Sequence, residues 1–247
     1  MPNIILDTQN NHKMNKKHIF GAAMLIVAMV FAGCGNKNQK QEEVKPENET
    51  TAEVKQVKRL LIIVDPQIDF TTGSLAVANG PKAMETLAEA LKSNAINNYS
   101  HIAVTQDFHP ANHSSFVDNG GTWPAHCVQG TEGVNVYPNL QEALDGLDMK
   151  VEYLHKGNIA EKEEYSILQN EESGARVREM TKSDGFTGID ICGIASDYCV
   201  YETLKDLLEF YPAENVRVVT NCIAAVDENN SPLPAFMKEK GIEAIEF

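Results

Sequence analysis

One cysteine near the end of the chain has a sequence context suited to nucleophilic catalysis. Cys199 lies at the first turn of a predicted helix, a few residues after the apolar segment that ends at Ile194-Ala195. The positive end of a helix dipole favours a thiolate, and free backbone N–H groups there can face a developing oxyanion. A carboxylate can accept the thiol proton and a lysine can stabilise the thiolate. Asp65 and Lys156, which each end a predicted strand, are the candidates for these roles.

A second set of chemically active side chains lies in one long loop, residues 106–138. Asp107 and His109 are separated by a single residue, and His126 follows later in the same loop. A carboxylate and two imidazoles can hold one divalent metal ion and leave positions open for water or substrate, and this set suits zinc, iron or manganese. The alternative is a polar surface loop whose histidines cap turns.

The hydrophobic pattern predicts the elements that position these residues. A continuous aliphatic run typical of a strand covered on both faces occurs at 60–64, and a second buried strand is predicted at 189–194. Shorter strands are predicted at 101–105, 151–154, 216–219 and 242–245. Helical patterns begin at Pro81, cover 176–182, and follow both Cys199 and Ser231-Pro232.

Strands that alternate with helices predict an α/β fold with a doubly wound, mainly parallel sheet flanked by helices. In such sheets ligands bind outside the carboxyl ends of the strands. Since the predicted strands end at or lead into the candidate residues, we expect Asp65, Asp107, Lys156 and Cys199 to meet on one rim. The alternative for Cys199 alone is a small core residue.

The first 57 residues predict export and attachment rather than a folded domain. Three lysines, at 13, 16 and 17, precede an uncharged apolar run from Ile19 to Gly33 that is short for crossing a bilayer. The small residues before Cys34 resemble the lipobox of bacterial lipoproteins, in which the signal is cut before a cysteine that is then lipidated. A plain secretory signal and an uncleaved anchor helix are the alternatives.

The predicted organisation therefore has three parts. Residues 1–33 are a lipoprotein signal peptide, residues 34–57 are the lipid-attachment Cys34 with a disordered polar tether, and residues 58–247 are the folded domain. The resulting location is the extracytoplasmic side of a bacterial membrane, either periplasmic or on the cell surface.

The composition is that of an acidic globular protein. The chain has 247 residues, 43% of them hydrophobic, and a formal net charge of −14. The charge argues against binding to nucleic acid, because no basic stripe is present that could neutralise phosphates. The oligomeric state is left open, with a homo-oligomer among the alternatives.

The candidate residues fall within five sequence blocks. They are Asp65-Pro66-Gln67-Ile68-Asp69-Phe70 with Gly73-Ser74-Leu75, the segment 105–116 (TQDFHPANHSSF), the segment 123–131 (WPAHCVQGT) with Gly133, Lys156-Gly157 with Tyr165-Ser166, and Gly193 to Val200 (GIASDYCV). Across residues 60 to about 225, these blocks resemble those of nicotinamidases and follow the order in which that family has them. The segment between Lys156 and Tyr165 is more charged than is usual in the family.

The resemblance implies an isochorismatase-like hydrolase fold and the hydrolysis of nicotinamide to nicotinate and ammonia. By position, Cys199 matches the nucleophile, Asp65 the general base and Lys156 the third member of the triad. The backbone N–H groups of Ala195 and Cys199 match the oxyanion hole, with a cis peptide bond before Ala195.

The resemblance also implies a ligand set and a substrate clamp. Asp107, His109 and His126 match the metal ligands, and His113 matches a position that is a ligand in some members only. Phe70 and Trp123 match the residues that sandwich the pyridine ring. Two alternatives to a nicotinamidase remain: an amidase of the same superfamily that acts on another heteroaromatic amide, and a lipid-anchored binding module without catalysis.

Overall fold

The computed structural model describes residues 58–247, and within them six strands form one parallel sheet. The strands are β1 (Arg59–Val64), β2 (Tyr99–Asp107), β3 (Lys150–Lys156), β4 (Gly188–Ile194), β5 (Val216–Ala224) and β6 (Glu243–Ile245). Their order across the sheet is β3-β2-β1-β4-β5-β6, and every neighbouring pair is parallel. The predicted doubly wound α/β fold is therefore confirmed. The predicted signal peptide, Cys34 and tether lie outside the described residues.

Six α-helices connect these strands and cover both faces of the sheet. They are α1 (Ile68–Thr71), α2 (Gly80–Leu91), α3 (Pro138–Asp145), α4 (Glu171–Ser183), α5 (Cys199–Leu207) and α6 (Leu233–Lys240). Alternate residues of β1 point to opposite faces, as the period of two requires. Leu61 and Ile63 pack in the core that includes α2 and α3, whereas Leu60, Ile62 and Val64 pack in the core that includes α4, α5 and α6.

The structure extends several predicted elements and adds two α-helices, α1 and α3, that the sequence pattern did not indicate. Strand β5 continues to Ala224 instead of ending at 219, and α4 begins at Glu171 instead of 176. Helix α3 was not predicted. It begins with Pro138, whose fixed φ suits the first helical position, and it buries Leu140, Ala143 and Leu144 against α2. One helical turn of apolar residues is too short a signal beside a long irregular loop.

None of the helices within residues 58–247 combines the length and the apolar character that crossing a membrane requires.

Candidate active site

The predicted triad residues come together at the carboxyl end of the sheet. Asp65 directly follows β1, Lys156 ends β3, and Cys199 is the first residue of α5. The Lys156 Nζ atom lies 2.9 Å from Asp65 Oδ2 and 3.5 Å from Cys199 Sγ. Atoms of Asp65, Asp107 and Cys199 all lie within 4.8 Å of one another. The expected convergence on one rim is therefore observed, while the catalytic roles of the residues remain predictions.

The backbone around the triad allows this close approach. Gly193 has a φ of +117°, and a Cβ atom there would lie 2.0 Å from the carbonyl oxygen of Val64. Only glycine lets β4 pass so close to the end of β1. Asp65 itself has a φ of +45°, and its backbone N–H donates to the Thr105 carbonyl at 3.1 Å. The Thr105 hydroxyl donates to Asp65 Oδ1 at 2.6 Å, which fixes the carboxylate.

Burial and charge set the protonation states of the triad. Burial raises the pKa of Asp65, and the attraction of Lys156 only partly offsets it. Burial also raises the pKa of the Cys199 thiol well above its ordinary value, against the lowering effect of Lys156. Burial opposes the charge on Lys156, but the carboxylates of Asp107 and Asp65 outweigh it, so the pKa of Lys156 rises well above its ordinary value. The resting site thus combines a protonated thiol, a carboxylate with raised proton affinity and a charged lysine.

The turn before α5 presents two free backbone donors beside the cysteine. The peptide bond between Ile194 and Ala195 is cis, as the family resemblance implies. The Ala195 carbonyl accepts hydrogen bonds from the N–H groups of Tyr198 and Val200. The N–H groups of Ala195 and Cys199 donate to no backbone carbonyl in the turns and loops of residues 58–247. Both donors of the predicted oxyanion hole are therefore available.

Three predicted metal ligands form a cluster next to the triad. Asp107, His109 and His126 each offer a ligand atom, and these atoms lie within 4.8 Å of one another. The Nδ1 atom of His109 bonds the Gly157 carbonyl at 2.9 Å, and that of His126 bonds the Pro124 carbonyl at 2.7 Å. A carbonyl only accepts, so both Nδ1 atoms carry the proton and both Nε2 atoms are free to coordinate.

The protonation states of the three candidate ligands also bear on metal binding. The Nε2 atoms of His109 and His126 lie 3.4 Å and 3.8 Å from Asp107 Oδ2. Burial opposes ionisation of Asp107, but Lys156 and the neighbouring histidines hold the pKa of Asp107 below its ordinary value. Burial lowers the pKa of His126 and so favours its neutral form. Burial opposes a charge on His109, but Asp107 outweighs it and raises the pKa of His109. Divalent metals bind a carboxylate and neutral imidazoles, so a metal bound here would displace a proton from His109.

His113 lies close to this cluster, but other partners occupy both of its ring nitrogens. Its ring centroid is 4.0 Å from that of His109. The Nε2 atom bonds the Lys162 carbonyl at 3.0 Å, so it carries the proton, and Nδ1 accepts from Ser115 Oγ at 2.8 Å. With these bonds in place, His113 has no free lone pair for a metal.

The pocket next to Cys199 is mainly apolar and aromatic. Phe70 and Trp123, the predicted ring-binding residues, both line it, and so do Asp107 and His126. The remaining lining residues are Leu75, Glu163, Tyr165, Ala195, Tyr198 and Val226. An apolar pocket with a few convergent polar groups is typical of a small-molecule site.

Sequence reasoning assigned no role to two tyrosines of this pocket. The ring centroids of Trp123 and Tyr198 are 5.1 Å apart, and Trp123 Nε1 donates to the Tyr165 hydroxyl at 3.1 Å. Tyr165 and Tyr198 belong to the motifs around Lys156 and Cys199, so their closeness in the sequence to these candidate catalytic residues was the available signal. They fix the orientation of Trp123.

Two further residues of the first motif support the metal loop. The Gln67 amide donates to the Asp107 carbonyl at 2.7 Å and accepts from the Asp107 N–H at 2.8 Å. Asp69 Oδ2 accepts from the Cys127 N–H at 2.7 Å, next to His126. Cys127 is buried, and burial raises its pKa well above the ordinary value. The motif that begins at Asp65 thus also holds the backbone of two candidate ligands.

Comparison with known proteins agrees with this geometry. A model of the isochorismatase domain matches residues 59–238. The nicotinamidase/pyrazinamidase of Mycobacterium tuberculosis is 35% identical over 154 residues, which cover 60% of this chain and 77% of that relative. Two solved structures each share 28% identity. The pyrazinamidase of Pyrococcus horikoshii in complex with zinc aligns with a TM-score of 0.63 over 76% of this chain and 99% of its own. PnC1 from L. infantum in complex with nicotinate aligns with a TM-score of 0.64 over 77% and 93%.

The matched region contains every candidate site residue from Asp65 to Cys199, and the predicted fold is that of these relatives. The chain therefore belongs to the isochorismatase domain family, among the nicotinamidase-like amidohydrolases.

Proposed function

We propose that this protein hydrolyses nicotinamide to nicotinate and ammonia through a thioester on Cys199. One observation carries the proposal: a single apolar pocket combines Cys199 with Asp107 and His126 and with the two aromatic residues Phe70 and Trp123. The relatives named as nicotinamidases, and the neighbour structure with bound nicotinate, support the choice of substrate.

In the first half of the reaction Cys199 attacks the carboxamide carbon. Asp65 takes the thiol proton as the carbon–sulfur bond forms, which suits a carboxylate whose pKa burial has raised. Lys156, with its Nζ 3.5 Å from the sulfur, stabilises the developing thiolate. The N–H groups of Ala195 and Cys199 bind the oxyanion of the tetrahedral intermediate. The carbon–nitrogen bond then breaks, and ammonia leaves with the proton from Asp65.

In the second half a water molecule hydrolyses the thioester. Asp65, unprotonated again after ammonia has left, takes a proton from the attacking water. The carbon–sulfur bond breaks, and the proton on Asp65 passes to the sulfur of Cys199. The product is nicotinic acid, which loses its remaining proton to the solvent and leaves as nicotinate. Atoms balance, since one water is consumed and one ammonia is released for each amide.

The metal cluster gives the pocket its selectivity for a ring nitrogen. Asp107, His109 and His126 would hold one ion of zinc, iron or manganese. When bound, a divalent metal supplies a Lewis-acid contact for the pyridine nitrogen, which fixes the carboxamide against Cys199. Phe70 and Trp123 would pack on the ring. His113 stays outside the proposed ligand set because both of its nitrogens are already bonded.

Ammonia release by the purified protein tests the proposal directly. We expect turnover of nicotinamide, loss of turnover with a chelator, and recovery with zinc, iron or manganese. Benzamide lacks the ring nitrogen and should be a poor substrate. Equal hydrolysis of benzamide and nicotinamide would remove the metal from this role. A panel of heteroaromatic amides separates a nicotinamidase from a related amidase, and no ammonia from any amide would favour a binding module instead.

We further propose that Cys34 carries lipid and tethers the enzyme to the extracytoplasmic side of a bacterial membrane. The support is the basic segment, the uncharged run to Gly33 and the small residues before Cys34. Several acyl chains give stable anchoring, whereas one chain binds only marginally. Intact-mass analysis of the native protein should show a chain that begins at a modified Cys34. A cytosolic protein that begins at an unmodified Met1 or Met14 would contradict this. Cys34→Ala should release or misprocess the chain without changing catalysis.

A further inference from the structure

Two neighbouring glutamates between Lys156 and Tyr165 have different surroundings. Glu163 is half-buried and lines the pocket, whereas Glu164 is buried, with 1% of its surface exposed. A buried carboxylate is costly unless several donors compensate it. The partners of Glu164 therefore show what this residue does.

The carboxylate of Glu164 lies at the centre of the segment that follows Lys156. Its Oε2 atom accepts from the Gly157 N–H at 2.8 Å and from the Asn170 side-chain amide at 3.0 Å. Its Oε1 atom lies 2.6 Å from Lys162 Nζ. Asn170 in turn accepts from the Ser173 N–H and so caps the start of α4. Glu164 thus connects Gly157 to a fixed helix end.

Gly157 is in direct contact with His109 of the candidate metal cluster. Its carbonyl accepts from His109 Nδ1 at 2.9 Å. Its φ is +65°, and a Cβ atom there would lie 2.4 Å from His109 Cε1. The preceding carbonyl, that of Lys156, accepts from the Phe108 N–H at 2.9 Å. The peptide unit between Lys156 and Gly157 is therefore held by Phe108 on one side and by Glu164 on the other.

We propose that Glu164 is a positioning residue for the metal centre. Its hydrogen bond to the Gly157 N–H holds the Gly157 carbonyl where it fixes the tautomer and ring orientation of His109. The inference rests on the proposed metal site, and it concerns a residue that touches neither the metal nor the substrate. Partners of metal-ligating histidines commonly change metal affinity about 10- to 100-fold when they are removed.

Two substitutions separate the hydrogen bond from the charge. Glu164→Gln keeps an oxygen that can accept from Gly157 and Asn170 but removes the charge. Glu164→Asp keeps the charge but withdraws the carboxylate from Gly157 by one methylene. The Lys162 side chain is 47% exposed and can turn to solvent in the glutamine variant. Glu161→Gln, on the exposed neighbouring position, is the control for loss of one negative charge in the same segment.

The readout is cobalt(II) binding to the full-length protein without substrate. Affinity is measured by competition with a chromophoric chelator, and ligand geometry by the visible spectrum of the bound cobalt; circular dichroism confirms that each variant folds. We expect Glu164→Asp to bind cobalt about 10-fold more weakly with an altered spectrum. Glu164→Gln and Glu161→Gln should resemble the parent.

Other outcomes overturn the inference. If the glutamine variant loses affinity and the aspartate variant keeps it, the charge and not the hydrogen bond matters. If both variants keep the parental affinity and spectrum, Glu164 only packs the segment. A parent protein that binds no cobalt would refute the metal site itself. Because no substrate is present, these results do not depend on which amide is hydrolysed.

Discussion

Each end of the parallel sheet holds a buried carboxylate cluster, and the two clusters have opposite charge balance. At the amino end, Asp190 on β4 accepts hydrogen bonds from Arg59, Arg217 and the Tyr99 hydroxyl. At the carboxyl end, Lys156 alone contacts both Asp65 and Asp107. The first cluster has two cations for one anion, and the second has one cation for two anions.

The charge balance changes what each carboxylate can do. Burial opposes ionisation of Asp190, but its bonds to Arg217, Arg59 and Tyr99 outweigh burial and lower its pKa. Burial of Asp65 outweighs the attraction of Lys156, and its pKa is raised. Asp190 therefore remains an anion and ties four strands together, since it lies on β4 and its partners lie on β1, β2 and β5. Asp65 keeps the ability to take up a proton, and the excess negative charge around it suits a metal cation.

The largest expected effect is on activity at the carboxyl end. Cys199→Ala should lower the rate of ammonia release by about 10³-fold or more, because the covalent route is lost. Metal content and the free energy of unfolding should change little, since the side chain is small and is not a proposed ligand. The measurement is kcat together with metal analysis. Near-normal turnover would refute the thioester mechanism.

Metal binding should stabilise the protein through the carboxyl-end cluster. At a free metal concentration 100 times Kd, the free energy of unfolding should rise by about 2.7 kcal/mol. His126→Ala should abolish this gain and raise KM for nicotinamide. His155→Ala is the matched control, because His155 stacks on Phe108 and lies outside the ligand cluster. Thermal unfolding with and without metal measures the effect, and equal gains in both variants would contradict the assignment.

The amino-end cluster should affect stability without affecting catalysis. Asp190→Asn leaves Arg59 and Arg217 without their counter-ion and should lower the free energy of unfolding by about 2 kcal/mol. The cost is moderate because Arg217 reaches solvent, with 27% of its side chain exposed. Denaturant unfolding gives the loss, and kcat should stay near that of the parent. A selective loss of kcat would mean that the two ends of the sheet are not independent.

The sequence predicted the carboxyl-end cluster better than the amino-end cluster, for a physical reason. The carboxyl ends of parallel strands meet on one rim, so the residues that follow each strand can be placed together without coordinates. Asp65, Lys156 and Cys199 were found in this way, although they lie far apart in the chain. Family resemblance then added the cis peptide bond before Ala195, which periodicity cannot reveal.

No comparable rule identified Asp190 or Glu164. Asp190 is the one charged residue of an otherwise apolar strand, and its partners Arg59 and Arg217 become its neighbours only through the strand order. Glu164 belongs to a charged segment that resembles an exposed loop, and its burial depends on the path of the chain around Gly157. Helix α3 was missed because one apolar turn carries little periodic signal. Contacts that depend on strand order and loop path need the three-dimensional structure.

The smallest expected effect on stability tests whether the carboxylate at the carboxyl end destabilises the fold, whereas the one at the amino end stabilises it. Asp65→Asn keeps an oxygen to accept from the Thr105 hydroxyl, and it leaves Lys156 paired with Asp107 alone. When folding raises the pKa of a carboxyl group, the group favours the folded state less as the pH rises. The loss of stability occurs between the pKa of the unfolded state and the pKa of the folded state. We therefore expect metal-free Asp65→Asn to be inactive but more stable than the parent at neutral pH.

The free energies of unfolding of Asp65→Asn and Asp190→Asn should differ from that of the parent with opposite signs, and both differences should shrink as the pH falls. The gain in Asp65→Asn should shrink as pH falls, because the parent then becomes protonated at Asp65. The folded pKa of Asp190 is lowered, so its contribution is present above the unfolded value of about 3.9 and is lost as pH falls through the folded pKa. Denaturant unfolding from neutral pH down to the pKa of an unfolded aspartate, with chelator present, measures both differences. If Asp65→Asn is less stable than the parent at neutral pH, the ion pair with Lys156 outweighs the cost of burial, and the carboxyl-end cluster stabilises the fold as the amino-end cluster does.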